Sequence, residues 1–171
     1  PADRSPDAAD GGCGMMEAYQ NYLSLLGELA GTLEALSQVE RNKTQAVRKD
    51  DLAGLNECIK QEQTASLQLR GLDKKREQAL EALGLGQIPL GQLPQHYPEP
   101  LRLEAKRVVE HLQQQYQLFR SAAQVARSTL ECNLHEIEKI LAQEGGAALD
   151  GPGYQGGDPQ LPKPLRTDFR A

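Results

Sequence analysis

The residues best suited to metal chemistry are Cys132 and His135, which stand three positions apart and would share one face of a helix. A structural zinc site needs four such ligands, and the other candidates, Cys58 and His111, have no motif spacing to this pair. A di-iron helical bundle needs two Glu-x-x-His pairs, but Val108 and Cys132 precede the two histidines at that spacing. We therefore expect no bound metal or cofactor, and we interpret Cys132 as a partly buried thiol beside a surface imidazole.

Nucleophilic and phosphate-transfer chemistry also lack their motifs. No serine lies in a nucleophile elbow. No glycine-rich phosphate loop follows a strand, because no strand pattern is evident. The sequence therefore predicts a binding protein and not an enzyme.

Charge and hydropathy restrict the partners. The formal net charge of the 171-residue chain is −5 at pH 7, which argues against nucleic acid or an anionic membrane as a partner. No run of 18 apolar residues is present and no secretory leader is visible, so we expect no stable membrane insertion and no secretion. Three cysteines, an odd number without framework spacing, favour a reducing compartment. The predicted location is the cytoplasm.

Helical periodicity dominates the middle of the chain. Apolar residues that step by three and four predict a first helix from about Met16 to Arg48. The same pattern predicts a second helix that ends at about Leu83 and a third from about Pro100 to Gln143. These three elements would carry every feature that positions a binding surface.

Two connections join the predicted helices. The first is a turn at 49–51, in which Asp50 would cap the start of the second helix. The second covers 84–99, begins with Gly84 as the C-terminal cap of the second helix, and has room for a single helical turn. Three apolar residues of this connection would close the end of a bundle: Ile88, Leu90 and Leu93.

The ends of the chain differ from its middle. Residues 1–15 and 145–171 are rich in glycine and proline and lack periodicity, so they are predicted to be a disordered N-terminal segment and a flexible C-terminal tail. Residues 16–144 would form one domain. The predicted fold is all-α, an elongated antiparallel bundle in which a long helical hairpin lies beside a longer third helix.

The lengths of the predicted helices do not match. Each hairpin arm has roughly 33 residues and spans about 50 Å, whereas the third helix has about 44 residues and spans about 66 Å. Paired from its start, the third helix would outrun the hairpin near Cys132, although a shift of one or two turns would shrink the excess. Four large aliphatic side chains would then lack a partner: Leu134, Ile137, Ile140 and Leu141. An exposed apolar stripe of this kind predicts an interaction site.

Four charged residues interrupt the apolar faces of the first two helices: Glu40, Lys43, Glu62 and Arg76. The favoured interpretation is that these long side chains reach solvent from the edge of each stripe. The alternative is a buried polar layer that fixes the register of the helices. Across the predicted turn, Arg76 is expected near Glu28 and far from Glu40.

The hairpin region resembles the FlgN family. Members of that family carry a glutamate late in the first helix, an acidic residue at the turn, and an arginine shortly before a Leu-Gly ending of the second helix. Glu40, Asp50, Arg76 and Leu83-Gly84 occupy these places here. The ending, GYQGG followed by RTDFRA, is also similar to the family's tail, so the likeness extends to the end of the chain.

The resemblance implies a cytoplasmic chaperone of flagellar type III secretion. Such a protein would bind the terminal helical segments of hook–filament junction proteins, prevent their premature association and deliver them to the export gate. Family behaviour places cargo binding at the end of the third helix and in the tail, with Tyr154 as a contact to the gate. The remaining candidate residues on these two segments are Leu130, Leu134, Ile137, Leu141, Leu161, Leu165 and Phe169.

A structural role is the alternative. Two copies of the chain would pair through the same apolar stripe and form a homodimeric helical scaffold or adaptor without chaperone activity. The sequence leaves the oligomeric state open between a monomer and a weak dimer.

Overall fold

The computed structural model describes residues 10–143, with side chains from Gly14 onward. This part of the chain forms three α-helices and two 3₁₀ helices, and it contains no strand. The elements are α1 (Asp10–Arg48), α2 (Leu52–Ala82), a first 3₁₀ helix (Leu90–His96), a second 3₁₀ helix (Glu99–Leu101) and α3 (Arg102–Gln143). The prediction of an all-α protein is confirmed. None of the helices described is both long and apolar enough to cross a membrane.

The first helix starts earlier than the sequence predicts. α1 begins at Asp10 and not at Met16, so the segment predicted to be disordered is helical at 10–15. A helix that has already been nucleated by its buried turns extends at little further cost, even into weak helix formers such as Gly14. The other residues of that segment and of the predicted tail lie outside the described range.

The turn at 49–51 is confirmed, but its capping residue is not the predicted one. Asp50 has a φ of 55° and closes α1, while the Asp51 amide donates to the carbonyl of Ala46 at 2.9 Å. Aspartate tolerates this left-handed conformation better than most residues. The N-terminal cap of α2 is therefore Asp51, whose carboxylate accepts a hydrogen bond from the Gly54 amide at 2.9 Å.

The end of α2 agrees with the sequence-based expectation. Gly84 has a φ of 70°, the left-handed region that glycine enters without steric cost. The Leu85 amide donates to the Leu80 carbonyl at 3.0 Å and completes the cap. The predicted closure of this end is also observed, because Leu90 and Leu93 of the first 3₁₀ helix are buried in the core.

The helices share one core, and α1 is its centre. The backbone of α1 approaches both α2 and α3 closely, whereas the backbones of α2 and α3 lie farther from each other. The buried apolar residues come from all three helices and from the connection between α2 and α3: Tyr22, Leu23, Leu26, Leu29, Ala30, Leu33, Leu36, Leu69, Leu72, Leu80, Leu85, Leu90, Leu93, Tyr97, Leu101, Ala105, Val109 and Leu112.

This core fills only one half of the molecule. We call the half next to the 84–101 connection the proximal half and the half next to the 49–51 turn the distal half. In the distal half, the buried residues are mostly small or polar: Ser37, Val39, Glu40, Lys43, Thr44, Ala46, Val47, Cys58 and Ala126. The large apolar residue Ile59 of α2 is 39% exposed there.

Candidate partner-binding site

The C-terminal end of α3 carries large apolar side chains that nothing in the described chain covers. Ala126 is the last buried residue of α3, and Leu130 is half-buried. Beyond them, Leu134, Ile137 and Leu141 are 58%, 47% and 60% exposed. α3 continues from Ala126 to Gln143, which corresponds to about 26 Å of helix.

The exposed residues continue the face by which α3 packs in the proximal half. Steps of three and four residues place Leu130, Leu134, Ile137 and Leu141 on the face that carries the buried Leu112. Beyond Ala126, no described residue of α1 or α2 buries this face of α3.

Charged residues flank this surface, with a small excess of acidic groups. Glu131, Glu136 and Glu138 lie on the same stretch of helix as two basic residues, Arg127 and Lys139. Glu131 accepts a hydrogen bond from the Nε of Arg127 at 2.9 Å, and the Nδ1 of His135 lies 3.9 Å from Glu138. These pairs are solvent-exposed and add little stability. The arrangement suits an apolar partner segment with basic residues along its edges.

Several of the predicted contact residues cannot be placed. Tyr154, Leu161, Leu165 and Phe169 lie outside the described residues. The described part of the predicted set consists of the four residues of α3, of which three are exposed and Leu130 is half-buried. Cys132, expected to be partly buried, is exposed. It stands two residues from both Leu130 and Leu134, which places it on the opposite side of α3 from the apolar stripe.

A buried cluster of charged groups lies in the distal half. The Nζ of Lys43 is 2.8 Å from a carboxylate oxygen of Glu40 and 2.7 Å from one of Glu62. Glu40 is 2% exposed, and Lys43 is also buried. The favoured interpretation of these residues as side chains that reach solvent is therefore wrong for Glu40 and Lys43. They form the alternative, a polar layer that links α1 to α2.

The pKa values of this polar layer follow from its burial. Removal from water raises the pKa of Glu40, and the nearby charge of Glu62 adds to that effect, while the hydrogen bond from Lys43 opposes it. Burial by itself lowers the pKa of Lys43, but hydrogen bonds and charge from the two glutamates outweigh it and raise the pKa overall. The layer joins one cation to two carboxyl groups, of which Glu40 is the more deeply buried.

Arg76 also lies inside the molecule, in the proximal half. Its Nε donates to a carboxylate oxygen of Asp73 at 2.9 Å, and its guanidinium lies close to the Tyr22 ring hydroxyl. Burial raises the pKa of Tyr22, and Arg76 opposes that shift. The expected neighbour of Arg76, Glu28, is instead exposed to solvent on α1.

The part of the chain that the structure describes contains a groove but no metal-binding cluster. Among the described residues, no three His, Cys, Asp or Glu side chains could hold one metal ion. One groove lies between the end of α2 and the 86–93 segment, with Arg76, Glu77 and Glu81 among the residues that line it. Its lining has no cysteine, serine, threonine or histidine that could act as a nucleophile.

Sequence reasoning missed two features of the molecule. The first is the contact among Glu40, Lys43 and Glu62. Glu40 and Lys43 stand three residues apart on one face of a helix, and this spacing could have predicted that they pair. The second is a pair of exposed apolar residues on the outer side of α3, Leu118 and Val125, which stand seven positions apart. Their spacing could have revealed a second, weaker apolar strip.

Comparison with known proteins gives one significant match. The FlgN family model, described as "FlgN protein", matches residues 15–154. Searches of curated proteins and of solved structures return no significant match.

Proposed function

Because the chain belongs to the FlgN family, whose members are chaperones of flagellar export, we propose that it protects the terminal helical segments of hook–filament junction proteins. The end of α3 and the C-terminal tail would hold such a segment in the cytoplasm, prevent its premature association and deliver it to the export gate. The observation that carries this proposal is the exposed apolar stripe at Leu134, Ile137 and Leu141.

We also propose the arrangement of helices that makes this stripe available. Lys43 contacts Glu62, and Tyr22 lies near Arg76, which supports an antiparallel pairing of α1 with α2 about the 49–51 turn. Tyr19 packs against Tyr97 with ring centroids 4.7 Å apart, and one groove is lined by Gly31 and Arg41 together with Gln115. α3 would then run in the direction of α1 and extend beyond the turn.

In the proposed complex, a cargo helix lays its apolar face along the α3 stripe. Each large aliphatic side chain that becomes buried contributes roughly 1.5–3 kcal/mol. The tail would fold over the cargo through Leu161, Leu165 and Phe169, and Pro162 and Pro164 prevent a continuous helix there. Tyr154 remains the candidate contact to the export gate.

The test is direct binding of full-length protein to a peptide that contains the terminal helix of a junction protein, measured by calorimetry. Ile137→Asp should weaken binding by about 10- to 100-fold, because it removes one buried aliphatic group and introduces a charge. Leu67→Asp is a matched control, since Leu67 is 68% exposed and lies on α2 outside the proposed site. Equal affinity of Ile137→Asp and wild type would contradict the proposal.

The same experiment addresses the scaffold alternative. Light scattering on the free protein gives its mass, and the chaperone proposal expects a monomer that takes up one peptide. A dimer whose mass does not change with concentration, and which ignores the peptide, would instead favour the homodimeric scaffold or adaptor.

A further inference from the structure

We infer that, in the absence of cargo, the exposed stripe of α3 is covered by the chain's own segment 161–171. This inference rests on the proposed function only in that both use the same surface. It concerns the state of the protein before any partner arrives.

The chemistry of the two segments is complementary. The segment 161–171, LPKPLRTDFRA, carries apolar residues at steps of four and three basic side chains against one aspartate. The surface of α3 offers exposed aliphatic side chains at similar spacing, with Glu131, Glu136 and Glu138 against Arg127 and Lys139, so that its edges carry a small net negative charge. Apolar groups on both partners and opposite net charge on their edges favour association.

The length of the intervening chain brings the two segments together. Residues 144–160 connect Gln143 to Leu161 and are rich in glycine. A glycine-rich chain of that length has a mean end-to-end distance of roughly 23 Å. Leu134 lies about 14 Å back along α3 from Gln143. The connection can therefore return the segment to the stripe without strain and holds it there at an effective concentration on the order of 1 mM.

The consequence is a competition at the cargo surface. An intramolecular ligand with an intrinsic dissociation constant of about 0.1 mM would cover the stripe roughly nine-tenths of the time at that effective concentration. Such cover would shield Leu134, Ile137 and Leu141 from unspecific apolar contacts. A cargo helix must displace the segment or move it aside, so coverage lowers the apparent affinity for cargo by the same factor of about ten.

The test is amide hydrogen exchange of the full chain without cargo, followed in peptides that cover 134–141. In wild type, coverage should slow exchange there about tenfold relative to the triple variant Leu161→Glu, Leu165→Glu, Phe169→Glu. Exchange at 22–36, in the proximal core, should be identical in both proteins and reports on the fold. Leu149→Glu is the control for the effect of an added carboxylate, because it places one such charge in the connecting chain, and its exchange should match that of wild type.

A second variant keeps the inference testable through charge alone. Lys163→Glu with Arg166→Glu reverses two basic groups, leaves every apolar residue in place, and should remove most of the protection. Added salt should reduce the protection of the wild type. Equal exchange at 134–141 in wild type and both variants would overturn the inference.

The remaining outcomes separate this inference from the proposed function. Protection that rises with protein concentration, together with a dimeric mass, would show that a second copy covers the stripe and would overturn self-coverage. If the protein binds cargo but 134–141 is not protected from exchange in the free protein, only this inference is contradicted. If 134–141 is protected but the protein binds no junction-protein helix, the proposed function is contradicted and self-coverage is still supported.

Discussion

The proximal and distal halves of the molecule are built from the same three helices but by different means. The proximal half buries leucines from every helix, together with Tyr22 of α1 and Tyr97 of the connection between α2 and α3. The distal half buries small residues together with Glu40 and Lys43, which contact the partly exposed Glu62, and it ends in the part of the α3 stripe that no described residue covers. The difference indicates that the proximal half contributes most of the folding stability, whereas the distal half carries the exposed surface to which a partner would bind.

The two halves differ because different kinds of side chain are buried in each of them. Large apolar residues confer stability only when neighbours exclude water from them, and the proximal half provides three neighbours at one level. In the distal half, the polar layer specifies the pairing of α1 with α2 and adds little apolar area. A surface that must accept a partner has to remain incompletely packed.

The largest expected effect is a contrast between one substitution in each region. Leu26→Ala removes a fully buried side chain of the proximal core and should lower the free energy of unfolding by about 2–5 kcal/mol. Ile137→Ala on the uncovered stripe should change it by less than about 0.5 kcal/mol. Urea denaturation of the full chain measures both. A loss at Ile137 comparable to that at Leu26 would mean that the stripe is part of the folded core.

Loss of the cation from the polar layer should have the next largest effect. Lys43→Met leaves Glu40 buried beside Glu62 without a counter-charge and should cost about 2 kcal/mol at pH 7, less than a fully buried pair because Glu62 is partly exposed. Thermal and urea unfolding measure this loss. Lys106→Met removes an exposed lysine 3.8 Å from Glu110 and, as the control, should cost no more than about 0.5 kcal/mol. An equal cost for both variants would show that the layer is solvated.

The pH dependence of stability should show that burial in this layer destabilises the ionised form of Glu40. A carboxyl group whose pKa is raised on folding contributes stability below its unfolded value, near 4.5, and loses it as pH rises through the folded value. Glu40→Gln removes that titration but retains an acceptor for Lys43. The stability of the variant, relative to wild type, should therefore improve from pH 4.5 toward neutrality, by about 1 kcal/mol or less. Parallel stability curves, measured from urea midpoints, would contradict the shift.

The smallest expected effect concerns a buried hydroxyl in the proximal half. Among the described residues, no group forms a hydrogen bond with the Tyr97 hydroxyl, and burial raises the pKa of that hydroxyl. Tyr97→Phe removes an unsatisfied polar atom and should be neutral or stabilising by up to about 1 kcal/mol. Tyr97→Leu also removes the ring that packs against Tyr19 and should destabilise by about 1 kcal/mol. Calorimetric melting of both variants distinguishes the hydroxyl from the ring.

Much of the fold could be predicted from the periodicity of apolar residues and from the residues that end helices. Gly84 and the polar residues at 49–51 mark helix ends by local chemistry, so these boundaries are correct to within about two residues. The choice between Asp50 and Asp51 as the cap could not be made, because either aspartate can adopt both conformations. The start at Asp10 was missed because extension of an existing helix leaves no signal in glycine-rich sequence.

The candidate site was predictable in one respect and not in another. Helix lengths were enough to predict that Leu134, Ile137 and Leu141 would be exposed on α3. The burial of Glu40 and Lys43 was not, because a charged side chain on a helix face can bend toward solvent or toward a partner, and only the neighbouring helix decides which. The position of Glu62 across the turn, 2.7 Å from Lys43, supplied that missing information.

The central position of α1 has a consequence for how the protein comes apart. Because α1 lies between α2 and α3, whose backbones are farther from each other, we expect the start of α2 to separate from α1 while α3 stays packed against it. The contact between Lys43 and Glu62 holds this part of α2 against α1. Unfolding should therefore begin at the 49–51 turn and proceed one helix at a time toward the proximal half. The last region to unfold should be the core around Tyr22 and Tyr97.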